Sequence, residues 1–140
     1  MSYDRNNVFA RILRGELPCH KVHEDDHTLA FMDIMPQTPG HTLVIPRAEA
    51  RDLFELPGEA LTATILATQR VAHAVREAFS PPGVMIAQFN GAAAGQTVFH
   101  LHFHVIPRYD GESLTLHAAK PGDASRLAEH AERIRACLNR

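Results

Sequence analysis

The chain has 140 residues, 45% of them hydrophobic, and a formal net charge of −2, which is consistent with one domain that buries a substantial core. Its 14 basic residues form no cluster, which argues against a protein that binds nucleic-acid backbones. No apolar run is long enough to cross a membrane and the first residues lack the pattern of a secretory signal, so we expect a cytoplasmic protein without a membrane partner.

The first part of the chain predicts one short helix followed by three strands. Asn6 or Asn7 is a suitable helix N-cap, and Gly15 ends the helix after Leu13. Apolar runs bounded by turn residues predict strands over residues 20–24, 28–34 and 41–46. Asp33 falls at the end of the second predicted strand, where an acid is disfavoured and therefore notable.

The second part predicts two further helices and two strands. A short helical turn is expected within 48–56, and Pro57 opens a long helix that extends to Phe79. Apolar spacing predicts its inner face, formed by Leu61, Ile65, Ala72, Val75 and Phe79. Strands over 84–89 and 98–108 come next, then an irregular loop over 110–121. Asp123 or Ser125 caps a final helix, whose apolar side is formed by Leu127, Ala131, Ile134 and Leu138.

Five short strands with helices between and after them predict an α+β fold. The connections between several strands are short, which favours hairpins over parallel crossovers. We therefore expect an antiparallel five-stranded sheet with a long central helix and a C-terminal helix. No internal repeat or interdomain linker interrupts the chain, so residues 1–140 are predicted to form a single domain.

The most unusual stretch is 98–108, in which His100, His102 and His104 alternate with apolar residues. This alternation predicts a β-strand, because successive strand side chains point to opposite faces. On a regular strand the three imidazoles would share one face, each about 6–7 Å from the next. The apolar residues between them would enter the core.

Three interpretations of these histidines remain open from the residues alone. The first is a polar strand face that happens to be histidine. The second is a metal site, since His-x-His can direct two imidazoles at one zinc ion while a third ligand arrives from elsewhere. The third is nucleophilic catalysis on phosphorus, because imidazole is partly neutral near pH 7 and a neighbour can handle the leaving-group proton. The preceding Gly95-Gln96-Thr97 offers N–H and hydroxyl groups to phosphate, which favours the third interpretation.

The segment 100–106 fits the pattern His-φ-His-φ-His-φ-φ, where φ is apolar, and resembles the signature of the histidine triad (HIT) family. Phe31-Met-Asp-Ile, Gly40-His-Thr-Leu-Val-Ile-Pro-Arg and Gly95-Gln-Thr-Val also occur in the family's order and spacing. The resemblance covers a core of residues 6–108, whereas the C-terminal loop and helix, 109–140, carry much less of it. It implies a hydrolase or transferase that acts on the α-phosphate of a purine nucleotide and needs no cofactor. It also implies a homodimer whose two sheets join into one of ten strands.

The resemblance further implies a role for each matching residue. His102 matches the nucleophile that forms a nucleotidyl-histidine intermediate. His104 matches the residue that contacts the phosphate and assists the leaving group. His100 matches the residue whose carbonyl fixes the tautomer of the nucleophile. His41 matches a fourth active-site histidine, and Asp33 the acid that binds the ribose hydroxyls. A base pocket is implied at Val8, Phe9, Ile12, Phe31, Ile34 and Leu43, although core packing alone would also explain these residues. Contacts to the nucleotide's phosphate side are implied at Asn90, Gly95, Gln96 and Thr97.

Two departures from the family pattern affect these expectations. Many bacterial relatives bind a structural zinc ion through Cys-x-x-Cys, a later histidine and the first triad histidine. The corresponding positions here are Asn7, Ala10 and Glu49, so we predict no metal. In addition, Phe89 stands where relatives often have the first of two asparagines, which removes any phosphate contact that this asparagine makes.

The substrate branch stays open at this point. Gly95-Gln-Thr-Val-x-His occurs in dinucleoside polyphosphate hydrolases, whereas general bacterial members resemble the adenosine phosphoramidase branch, which we favour. A metal-dependent hydrolase and a nucleotide-binding protein with little turnover are the alternatives from other classes.

Overall fold

A computed structural model describes residues 2–113 and 120–139. The described residues form three α-helices, five strands and one 3₁₀ turn. In chain order these are α1 (Val8–Leu13), β1 (Lys21–Glu24), β2 (Thr28–Met32), β3 (Thr42–Pro46), α2 (Gly58–Phe79), β4 (Gly83–Ala87), the 3₁₀ turn (Ala92–Ala94), β5 (Phe103–Arg108) and α3 (Ala124–Leu138). The predicted loop 110–121 falls partly outside the described residues.

The five strands form one antiparallel sheet in the order β1-β2-β3-β5-β4. Helix α2 crosses between β3 and β4, so β5 inserts between these two strands in the sheet. Helix α2 lies against β3 and β5, helix α3 lies against β1 and β2, and the two helices pack on each other. The predicted α+β fold, with a five-stranded antiparallel sheet and two long helices, is therefore confirmed.

Strands β2 and β3 are buried on both faces of the sheet. Ala30 and Val44 face the two long helices and pack there with Val71 and Ile134. The alternate residues of the same strands face the other side, where Phe9 of α1 covers Leu29, Phe31, Leu43 and Ile45. Because α1 covers this second face with only 6 residues, room for a cavity remains beside it. None of the described helices is long and apolar enough to span a membrane.

The histidine stretch differs from its prediction, because β5 begins at Phe103 rather than at residue 98. The ladder between β3 and β5 stops at the pair Val44↔Phe103. Before this point, Leu101 donates its N–H to the carbonyl of Ala50, 2.9 Å away, instead of to a strand. His100 and His102 therefore lie on irregular backbone, and the prediction of three imidazoles on one regular strand face is wrong.

The inner face of α2 was also predicted incorrectly at one position. Ile65 is 44% exposed, whereas Thr64 and Thr68 are buried. Each threonine hydroxyl donates to the carbonyl four residues earlier, at 2.7 and 2.8 Å, so burial leaves no unpaired hydroxyl. The predicted helical turn within 48–56 is a turn at residues 53–55 without a helix.

Gly40 has φ +94°, and a Cβ added there would lie 2.9 Å from the Phe79 ring and 3.1 Å from Pro107. We expect Gly40→Ala to lower the free energy of unfolding by about 2–3 kcal/mol, from backbone strain and overpacking. Gly83→Ala is the matched control, because nothing lies within 4 Å of its added Cβ. Urea unfolding of both variants measures the difference, and equal stabilities would contradict this account.

Candidate active site

The central histidine of the triad is held by a backbone carbonyl. His102 Nδ1 lies 2.7 Å from the carbonyl oxygen of His100. Because a carbonyl can only accept, Nδ1 carries the hydrogen, and the lone pair of the neutral ring is on Nε2. His102 is 8% exposed and borders a cavity. The backbone therefore selects the tautomer that leaves Nε2 able to react.

The third histidine receives a defined tautomer from His41. The Gln37 N–H donates to His41 Nδ1 at 3.0 Å, so the hydrogen of neutral His41 is on Nε2. That Nε2 lies 3.0 Å from His104 Nδ1 and 3.4 Å from an Asp33 carboxylate oxygen. His104 Nδ1 is then an acceptor, which places the hydrogen of the neutral ring on Nε2.

The rings of His102 and His104 are neighbours. The ring centroids of His102 and His104 are 5.0 Å apart. Phe9 packs with its ring nearly perpendicular to His102, at 4.9 Å, and Phe89 lies 5.5 Å from His104. One imidazole thus presents a lone pair beside a second imidazole that presents an N–H.

Burial keeps the key rings neutral. It lowers the pKa of His102 to about 4, although the His100 carbonyl favours the charged form. The pKa of His41 is lowered to about 3, by burial first and by its proximity to His102 second. Both rings are therefore uncharged at pH 7.

The cavity beside these rings has a volume of about 700 Å³, within the usual range for small-molecule sites. Phe9 and Phe31 meet edge to face in its wall, at 5.5 Å between ring centroids. The predicted site residues that line it are Val8, Phe9, Ile12, Phe31, Asp33, Ile34, His41, Leu43, Gly95, Thr97, His102 and His104. Most of the predicted site is thus brought together around one apolar cavity.

Comparison with known proteins assigns the chain to a family. A family model, the HIT domain, matches residues 14–111. The chain belongs to the HIT family. It is 44% identical to the protein hit of Bacillus subtilis over 104 residues, which span 74% of this chain and 72% of that protein. It is 34% identical to adenylylsulfatase HINT3 of Arabidopsis thaliana over 133 residues, 95% of this chain and 68% of that protein.

The fold comparison extends over nearly the whole HIT chain. The crystal structure of a Hit-like protein from Bartonella henselae, with an unknown ligand, superposes with a TM-score of 0.92 at 47% identity. The match covers 98% of this chain and 99% of that one. Helix α3, which lies beyond the matched HIT domain, is therefore included in the shared fold.

Sequence reasoning missed part of the cavity wall. The additional lining residues are Leu17, Pro18, Cys19, His20, Met32, Met35, Gln37, Phe89 and Val98. Most of these residues lie outside the strands and helices, in segments without hydrophobic periodicity. Gly15 and Pro18, which follow α1, indicated that the helix ends there but not the direction in which the next side chains point.

Two predicted nucleotide-binding residues do not line the cavity of this HIT protein. Gln96 is 3% exposed, and its amide group accepts from Gly91 N–H at 2.8 Å and donates to the Arg51 and Val98 carbonyls. Asn90 accepts a hydrogen bond from Leu53 N–H at 2.9 Å. Both side chains hold the loop in place, so the loop presents Gly95 and Thr97 to the cavity instead.

The structural zinc site of relatives has no counterpart in these residues. Asn7 caps α1 by accepting from Ala10 N–H at 2.9 Å, and an alanine side chain offers no ligand atom. Glu49 pairs with Arg5 at 3.1 Å. The two ring nitrogens of His100 contact the Tyr3 hydroxyl and the Pro46 carbonyl. This donor set does not fit a zinc ion.

A different group of possible metal ligands lies in the cavity. Among the described residues, ligand atoms of Asp33, His41 and His104 lie within 4.8 Å of one another. A metal ion there would need the lone pair of His41 Nε2, which would move the ring hydrogen to Nδ1. That hydrogen would then face the Gln37 N–H, opposing two donors 3.0 Å apart. The geometry therefore favours hydrogen bonds that link Asp33, His41 and His104 over a metal ion bound by them.

The pKa directions predict the behaviour of the histidine rings in an NMR titration of ¹⁵N-labelled protein. We expect the ring nitrogens of His41 and His102 to keep constant shifts from pH 8 down to about 5, because their neutral forms are stabilised by burial. The His102 signals should show hydrogen on Nδ1. His41→Gln and His102→Gln assign the resonances. A His102 midpoint near 6.5, the ordinary histidine value, would contradict the assigned environment.

Proposed function

We propose that this protein hydrolyses the P–N or P–O bond at the α-phosphate of a purine nucleotide, through a nucleotidyl intermediate on His102. The observation that carries this proposal is the pairing of two fixed tautomers. The hydrogen bond to the His100 carbonyl leaves a lone pair on His102 Nε2, and the neighbouring His104 carries its hydrogen on Nε2. A nucleophile beside a hydrogen-bond donor that assists the leaving group is the arrangement that covalent catalysis requires.

In the first step, His102 Nε2 forms a bond to phosphorus while the bond to the leaving nitrogen or oxygen breaks. His104 Nε2–H donates a hydrogen bond to the leaving atom, which takes its proton from solvent as it departs. In the second step, water attacks phosphorus, the P–Nε2 bond breaks, and the attacking water releases its proton to solvent. The His100 carbonyl stabilises the positive charge that His102 carries in the intermediate, because Nδ1–H continues to donate to it.

The cavity supports a nucleotide as the substrate. Its wall is mainly apolar and includes the perpendicular pair Phe9 and Phe31, which suits a flat purine base. Asp33 lies at the polar end beside His41 and would accept from the ribose hydroxyls. Gly95 and Thr97 also line the cavity, and their backbone and hydroxyl groups can meet phosphate oxygens.

For the leaving group we favour an amine, as in adenosine 5′-phosphoramidates. Adenylyl sulfate is a second candidate, because the HINT3 relative is an adenylylsulfatase and its reaction also breaks a bond at an adenylyl phosphate. Dinucleoside polyphosphates are a third. All three substrate types require the same attack on the α-phosphate and differ only in the leaving group.

The test uses all three substrate types with wild-type protein and His102→Ala. We expect turnover of at least one, and a loss of about 10³-fold or more in kcat for the variant, since its nucleophile is removed. His73→Ala is the control, because His73 is exposed on α2 away from the cavity. Rapid quenching at alkaline pH should trap one nucleotidyl group on the peptide that contains His102.

Three outcomes would contradict the proposal in different ways. Nucleotide binding without turnover of any substrate indicates a binding protein. Full activity of His102→Ala would contradict the assignment of His102 as the nucleophile. Activity that is lost to a chelator and restored by zinc supports the metal-dependent alternative.

We also propose that the protein forms a homodimer through edge strand β4. The other edge, β1, carries Lys21 and Glu24, which form an ion pair at 2.8 Å and protect that edge from further pairing. On β4, Ile86 is 44% exposed, and α2 exposes Ile65 at 44% and Leu66 at 59%. Pairing of two β4 strands would join the sheets into one of ten strands.

Sedimentation tests the dimer. We expect a dimer at micromolar concentration and a monomer for Ile86→Lys, because a buried charge at the strand edge opposes pairing. Phe54→Lys is the matched control, since Phe54 is 84% exposed on a loop. A wild-type monomer, or equal behaviour of the two variants, would contradict the β4 interface.

A further inference from the structure

We propose that the N-terminal residues 3–7, which we call the N-terminal clasp, replace the structural zinc ion of relatives, and that Tyr3 is the positioning residue that holds His100 and thereby His102. This inference rests on the proposed function for its effect on catalysis. Its structural part can be tested without turnover.

The contact at the centre of the clasp joins residues that are 97 positions apart. The Tyr3 hydroxyl lies 2.5 Å from His100 Nδ1, and the two rings meet nearly edge to face at 5.6 Å. His100 Nε2 lies 2.8 Å from the Pro46 carbonyl and therefore carries the hydrogen. Nδ1 is then an acceptor, so the Tyr3 hydroxyl is the donor.

These contacts fix His100 at three points. Tyr3 and Pro46 hold the two ring nitrogens, and the backbone carbonyl of the same residue accepts from His102 Nδ1. The His100 ring is fully buried, so a lost partner could not be replaced by bulk water. Movement of the ring would move the carbonyl that sets the tautomer of His102.

The clasp connects the triad with the segments that contain Asn7, Ala10 and Glu49, the positions of the zinc ligands that this chain lacks. A zinc ion could reach His100 only at Nδ1, because Pro46 occupies Nε2, and the Tyr3 hydroxyl lies at that nitrogen. Arg5 joins the clasp to Glu49, in the segment that follows β3, at 3.1 Å. Asn7 joins it to α1 through the Ala10 N–H. The triad, α1 and the segment after β3 are thus tied together by side chains of one short segment.

Tyr3 does not border the cavity, so its loss should affect the rate more than substrate binding. We expect Tyr3→Phe, which keeps the ring and removes the hydroxyl, to lower kcat about tenfold with KM unchanged within about twofold. Tyr109→Phe is the matched control, because Tyr109 is the other tyrosine of the chain and also does not line the cavity. Equal kcat values for the two variants would overturn the positioning role.

Rebuilding the metal site tests the replacement directly. The combination Asn7→Cys, Ala10→Cys and Glu49→His restores the ligand types of zinc-binding relatives around His100. Zinc alone is the probe, and affinity is measured by competition with a chromophoric chelator. With Tyr3→Phe added we expect one zinc per chain and a recovered kcat. With Tyr3 present we expect affinity about tenfold lower, since the hydroxyl competes for Nδ1.

Equal zinc affinities with and without Tyr3 would overturn the proposal, whatever the activity. If none of the substrates is turned over, the proposed function fails, but the zinc comparison still decides the role of the clasp. If the rebuilt variants do not fold, the His102 Nδ1–H resonance replaces them as the readout. We expect it to broaden in Tyr3→Phe and to persist in Tyr109→Phe, and an unchanged signal in both would refute the clasp.

Discussion

The hydrogen bond from His102 Nδ1 to the His100 carbonyl, 2.7 Å long, determines which nitrogen of the central histidine faces the cavity with a lone pair. A ring in the other tautomer would present a hydrogen there and could not attack. Burial of the imidazole also preserves this lone pair, because it lowers the pKa of His102 to about 4 and keeps the ring neutral. Burial and one backbone acceptor together leave a neutral His102 ring with its lone pair on Nε2.

That acceptor is available because the chain enters the sheet only at Phe103, after the first two histidines of the triad. In an inner strand, carbonyls are used in the ladder with neighbouring strands. Here β3 ends at Pro46, which has no N–H to offer, and its carbonyl accepts from His100 Nε2 instead. The Leu101 N–H bonds Ala50, outside the sheet. The irregular backbone thus frees the His100 carbonyl for His102, which a regular strand over 98–108 would not do.

The sequence predicted the elements well because their apolar patterns are strong, and its specific motifs located many of the residues that line the cavity. It failed where local pattern and tertiary contact differ. Thr64 and Thr68 are buried since their hydroxyls bond helix carbonyls, which hydropathy does not register. The amide of Gln96 is equally suited to phosphate and to peptide groups. Only the positions of Gly91, Arg51 and Val98 decide that it holds the loop.

The tyrosine clasp and a zinc ion can each hold His100 in position, but different conditions disrupt them. Zinc binding through cysteines depends on thiolates, so oxidation, acid and chelators all act on it. The Tyr3–His100 contact uses two neutral groups, and burial raises the pKa of Tyr3, which keeps its hydroxyl a donor. The clasp is held to the rest of the chain more weakly than by a metal ion. Residues 3–7 are attached by a few hydrogen bonds and by the Arg5–Glu49 ion pair, whose two side chains are 78% and 49% exposed. The geometry of the triad is therefore coupled to the docking of the N-terminus rather than to metal supply.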